Sequence, residues 1–185
     1  MNEISLKFRI EYAVLRLVAF LFGSLSLEQA SKLSGKLWRW VAPHLKRHSR
    51  AINHLTAAFP DKSPQEIDQI TRDMWECLGR TFAESLRLSE MAAQKRLDSS
   101  AIVPVIAPYL SQGKGMIVCG AHQGNWEIGT MGLIQEGVSP VGLYQSVKNP
   151  IVDAYVHDLR APFYPAGLLA KAPDTAVKLM RQIKR

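Results

Sequence analysis

Only two cysteines, Cys77 and Cys119, occur in 185 residues, too few for a disulfide framework or a cysteine-built metal cluster. The chain has no internal repeat and no low-complexity tract, which argues against solenoids and linker-like disorder. A secretory leader with a small-residue cleavage site is not apparent, so a reducing, cytosol-facing location is expected. Helix-turn-helix, zinc and RNA-recognition signatures are missing too. Nucleic acid is therefore not an expected partner despite a net charge of +7. What is present is 47% hydrophobic residues, enough for a substantial core.

The positive charge is uneven. Residues 1–60 carry nine Lys/Arg against three Asp/Glu, whereas residues 61–150 carry eight against ten. A basic leading third points to an anionic partner, and its neighbours favour lipid headgroups. From Tyr12 to Leu27 the only charge is Arg16, with Lys7 and Arg9 just before. A helix of sixteen residues reaches roughly 24 Å, short of the ~30 Å hydrocarbon core. Residues 1–27 are thus expected to form a membrane-associated helix, lying shallowly or spanning with strain. An ordinary buried helix is the alternative.

Residues 28–98 read as helical. Ala30, Leu33, Leu37 and Val41 keep helical spacing, with Trp38 and Trp40 on the flanks, until Pro43 interrupts. A second helix is expected between His44 and Phe59. His44 and His48 share an i,i+4 face, but no third ligand is evident and Lys46, Arg47 and Arg50 crowd them with like charge. Facing phosphate headgroups suits these residues better than holding a metal. Ser63-Pro64-Gln65-Glu66 is a capping box with proline in the first turn, and Ile67, Ile70, Met74, Leu78 and Phe82 continue one long helix to about Leu88.

Residues 99–185 change character. A proline-broken helix from Ala101 to Leu110 is followed by Gly115-Met116-Ile117-Val118-Cys119, which reads as a short buried strand with an inert thiol at its end. A helix after Glu127, a strand within Val138–Gln145, a helix from Pro150 to Arg160 and a last helix over Thr175–Lys184 complete the order. Strand, helix, strand and helix imply a right-handed parallel βαβ unit. The fold class expected is α/β, an N-terminal helical region with an anchoring helix followed by a partial parallel sheet. So thin a sheet suggests the front part of a larger α/β domain.

The residues with chemistry lie at Gly120-Ala121-His122-Gln123-Gly124-Asn125-Trp126-Glu127. On one continuous helix His122 and Glu127 would diverge by about 140°. With His122 in a strand-to-helix turn and Glu127 in the first helical turn, the carboxylate can reach back to the imidazole. The acid then fixes the tautomer and raises the basicity of the ring, as a general base requires. Amides following Gly124 could stabilise an oxyanion.

This block resembles the HX4D/E signature of the lipid A biosynthesis acyltransferases, the lauroyl and myristoyl transferases of the lysophospholipid acyltransferase-like superfamily. Asn53 to Pro60, Trp75 to Glu84, and Tyr144 through Asn149-Pro150 to Asp153 and Arg160 agree with the same family. The resemblance implies transfer of a fatty acyl chain from acyl carrier protein, or less often coenzyme A, to a hydroxyl of a lipid A precursor. It needs no cofactor and no metal. His122 would be the general base and Glu127 its orienting acid. Asn125 and Trp126 would shape the substrate-binding turn, and Arg160 would meet a phosphate or an oxyanion. Location at the cytoplasmic face of the inner membrane, against an anionic surface, is implied as well. Family members continue beyond the position matched by Arg185, so the resemblance marks this chain as C-terminally truncated. Alternatives are another acceptor, a lysophospholipid or phosphatidylinositol mannoside, or a non-catalytic membrane-binding fragment.

Overall fold

The computed structural model describes residues 4–94 and 98–183. Backbone packing divides the chain into two compact units, Ala19–Arg87 and Met1–Val18 with Leu88–Arg185. Their borders fall within the first helix and after Arg87, whereas the sequence suggested borders at 27 and 98.

The first helix, α1 (Leu6–Gly23), crosses that border. The Ala19–Arg87 unit continues with α2 (Leu27–Val41), one 3-10 turn at Ala42–His44, α3 (Arg47–Ala58) and α4 (Pro64–Ser85). Pro43 sits in that 3-10 turn, where the sequence placed its interruption. Both long helices begin on reciprocal caps. Ser63 Oγ accepts from the Glu66 amide at 3.3 Å while Glu66 accepts from the Ser63 amide at 2.8 Å. Ser26 and Gln29 build the same box on α2, a Ser-x-x-Gln signal passed over in the sequence.

Packing of α2 on α4 depends on small residues. Ala30, Ser31, Ser34 and Gly35 are buried on α2, and Ile67, Thr71, Trp75, Gly79 and Ala83 recur every fourth position on α4. The backbones approach closely enough for Ser34 Oγ to donate to the Gly79 carbonyl at 2.6 Å. Beside this seam Trp38 stacks on Trp75 with centroids 6.3 Å apart. The Trp75 indole donates to His48 Nδ1 at 3.1 Å, so His48 serves the fold rather than a headgroup.

In the other unit, α5 (Leu88–Ala93), α6 (Val103–Leu110) and α7 (Ile128–Gln135) precede strand β1 (Val141–Tyr144). Helix α8 (Pro150–Arg160) leads to β2 (Gly167–Ala170), and α9 (Thr175–Ile183) follows. The strands are parallel, with Val141 opposite Gly167 and Tyr144 opposite Ala170. The chain is mostly helical with one small parallel βαβ unit, consistent with the α/β class.

The strands of that unit are not the pair expected. Residues 114–123 form no strand, and Ile117 and Val118 are 79% and 62% exposed. A short apolar run becomes a strand only when a neighbour takes its backbone groups, and β1 pairs with Gly167–Ala170 instead. Cys119 is correspondingly exposed rather than a buried strand thiol.

Asn149 starts α8. Its Oδ1 accepts from the Ile151 amide at 3.1 Å, and its Nδ2 donates to the Phe8 carbonyl at 2.9 Å and to Glu11 at 3.0 Å. Leu88, Met131 and Phe163 form the core beneath, with Met91, Ile128 and Tyr164 packed around them. Among the described residues no helix is long and apolar enough to cross a membrane, which leaves the spanning reading of α1 without support.

Candidate active site

Glu127 is the residue from which α7 starts. Gly124, at φ +53, takes the left-handed conformation that turns the chain into the helix. Asn125 Oδ1 then accepts from the Glu127 amide at 3.1 Å, and Thr130 Oγ1 donates to the Glu127 carbonyl at 3.2 Å. One amide considered for an oxyanion is thereby engaged by Asn125. The turn leaves the Glu127 side chain only 4% exposed.

Two donors meet that carboxylate. Arg160, the last residue of α8, donates from Nη2 to Oε1, and Trp126 donates from its indole Nε1 at 3.1 Å. A carboxylate this deeply buried needs such partners, because desolvation of an unpaired charge is costly. The sequence named all three residues, and the structure brings them together at the junction of α7 and α8.

His122 is placed differently. Its ring is exposed and packs on Trp126 with centroids 4.7 Å apart and planes at 57°. No hydrogen bond joins His122 to Glu127 among the described residues. The imidazole therefore reaches the acid only by way of the indole, and Arg160 occupies the position that a dyad gives to histidine.

Two tyrosines extend the cluster, neither assigned a role from its own sequence context. Burial first, then the Glu127 carboxylate, pushes the Tyr164 phenol above its ordinary range, while a hydrogen bond with Thr130 opposes the shift. Burial first, then Asp153, does the same to Tyr144. Tyr144 donates to Asp153 Oδ2 at 3.3 Å, and Asp153 Oδ1 accepts from the Val147 amide at 2.7 Å, which ties the end of β1 to α8. Both phenols stay neutral near neutral pH. The cluster thus combines a buried anion, a cation, neutral phenols and an exposed imidazole on a loop. Among the described residues, no group of three His, Cys, Asp or Glu could hold a metal ion.

No curated protein and no solved structure matches the chain. The bacterial lipid A biosynthesis acyltransferase family does, over residues 5–181. With nearly the whole chain matched, the protein belongs to that family and is an acyltransferase acting on a lipid-type acceptor.

Proposed function

We propose that the protein transfers a fatty acyl chain from acyl carrier protein to a hydroxyl of a lipid A precursor, at the cytoplasmic face of the inner membrane. His122 acts as general base and Glu127 as the acid that orients it. The hydroxyl oxygen attacks the thioester carbonyl as its proton passes to the imidazole. The oxyanion then collapses with cleavage of the C–S bond, and the imidazolium returns the proton to the departing thiolate. A positioned base contributes on the order of 10²–10⁴ in rate.

The observation that carries this reading is the buried Glu127 carboxylate at the start of α7, with Trp126 between it and the His122 ring. For the dyad to form, the imidazole must swing past the indole and share the carboxylate with Arg160. Arg160, still paired with Glu127 through Nη2, offers its other N–H groups to a phosphate or the oxyanion. Asn125 and Trp126 line the acceptor site. The basic leading third faces anionic lipid.

The test supplies purified protein in detergent with acyl carrier protein bearing a labelled acyl chain and a lipid A precursor. Transfer is expected, with His122→Ala and Glu127→Gln each lowering kcat by on the order of 10²-fold or more. Equal rates for the parent and His122→Ala would remove histidine from the mechanism. A panel of lysophospholipid and glycosylated phosphatidylinositol acceptors fixes the acceptor class.

A further inference from the structure

Helix α2 leaves three large apolar side chains on a face that α4 does not cover. The buried face holds Ala30, Ser31, Ser34 and Gly35, whereas Leu33, Leu37 and Trp40 remain 52%, 50% and 70% exposed. At 100° per residue these three lie within an arc of about 60°. Lys36 and Lys32 follow at about 40° and 80° beyond its Trp40 edge, and both are exposed.

Charge says what this face suits. Residues 29–60 contain six Lys/Arg and no Asp/Glu. One of the six, Arg39, is engaged by Asp73 and Glu76 of α4, while the other five are exposed. An apolar stripe ending in tryptophan and bordered by lysines is the pattern of a helix lying in a membrane interface. There the aromatic ring sits at headgroup level and the ammonium groups meet phosphates. The nearest acidic groups, Glu28 in the first turn of α2 and the α4 carboxylates paired with Arg39, lie beyond Lys32, so the edge next to the stripe is cationic, which an anionic headgroup layer rewards and a protein-docking face does not require.

We propose that α2 is an interfacial docking helix: Leu33, Leu37 and Trp40 enter the surface of an anionic phospholipid bilayer, and Lys32 and Lys36 bind its headgroups. The membrane seat is then α2, in addition to or instead of the apolar α1 that the sequence singles out. The assignment rests on the proposed placement of the basic leading third against anionic lipid and names the helix that makes it, but it is tested apart from acyl transfer, because vesicle partition is measured without substrate.

The experiment measures partition of the full chain onto phosphatidylcholine vesicles with and without phosphatidylglycerol. Binding is expected to need the anionic lipid and to weaken with salt. Lys32→Glu with Lys36→Glu, and separately Leu37→Gln with Trp40→Gln, should each weaken partition on the order of tenfold or more. Unchanged circular dichroism melts would show that these exposed substitutions leave the fold intact. Parental partition of both double variants overturns the proposal, whether or not Ile10→Gln with Val14→Gln loses binding. Sedimentation velocity supplies a further overturning result: a dimer converted to monomer by the α2 variants, with vesicle binding intact, would assign this face to a second copy.

Discussion

Arg160 and Glu127, thirty-three positions apart, form an ion pair in which the carboxylate is 4% exposed and the guanidinium side chain 25% exposed. Removing one partner of such a pair leaves a charge in a site built to exclude water. Breaking a buried pair costs about 3–5 kcal/mol, and the lower end applies where one partner keeps contact with solvent. Arg160→Ala is therefore expected to lose roughly 3 kcal/mol in urea unfolding. Glu127→Gln should lose less, since a neutral amide tolerates burial better. The double variant should recover part of the sum, with a coupling of about 0.5–3 kcal/mol. Strictly additive losses would show that the two side chains do not depend on each other.

Tyr164 gives the site a pH signature at the alkaline end. Its ring stands where a Cβ on Gly142 of β1 would fall, and its phenol shares a hydrogen bond with Thr130. Burial first, and the neighbouring Glu127 carboxylate second, raise its folded-state pKa above the ordinary 10.0. A raised pKa means that the folded protein holds the proton after the unfolded chain has released it. The contribution is thus fully present below the unfolded pKa and is lost as pH climbs through the folded one. Stability should fall as pH climbs above about 10, through the raised folded-state pKa, and Tyr164→Phe should flatten that decline without removing the part due to Tyr144. Urea midpoints across that range provide the check, and an identical slope in the variant would place the phenol in water.

Glu127 and Arg160 also mark what spacing reveals and what it conceals. Ser63 to Glu66 announces the start of α4 because a capping box is local chemistry, and Asn149-Pro150 opens α8 for the same reason. The apolar run over residues 115–119 has the composition of a strand but no neighbour, whereas Leu168-Leu169, too short to stand out, finds β1. Strand pairing is decided at long range, beyond the reach of a five-residue window. The site divides in the same way. Asn125, Trp126 and Glu127 are legible as a turn entering a helix, but the partner of Glu127 comes from the end of α8 and not from five residues upstream. Arg160 enters through resemblance to a family, because nothing local distinguishes it from any arginine at a helix end. On α2 the periodicity of Leu33 and Leu37 is plain, yet periodicity does not say which face meets α4.

The α2–α4 seam makes a prediction in which the sign of the effect depends on position. Glycine within a helix is less favourable than alanine by about 1 kcal/mol, so Gly→Ala stabilises wherever there is room for the methyl group. Gly129 in α7 has nothing within 4 Å of the added carbon, and Gly129→Ala should be neutral or stabilising. At Gly79 the same carbon would lie 2.6 Å from Trp38 Cβ and 2.7 Å from the Ser34 carbonyl oxygen. Neither obstacle is the free end of a flexible side chain, so relief requires the helices to separate. Separation would stretch the hydrogen bond from Ser34 Oγ to the Gly79 carbonyl, now 2.6 Å long, and loosen the stacked tryptophans beside it. Overpacking of this kind costs about 1–3 kcal/mol, more than propensity returns. Gly79→Ala should therefore lower the urea midpoint while Gly129→Ala does not. Equal midpoints for the two variants would mean that the helices are not in backbone contact at this seam.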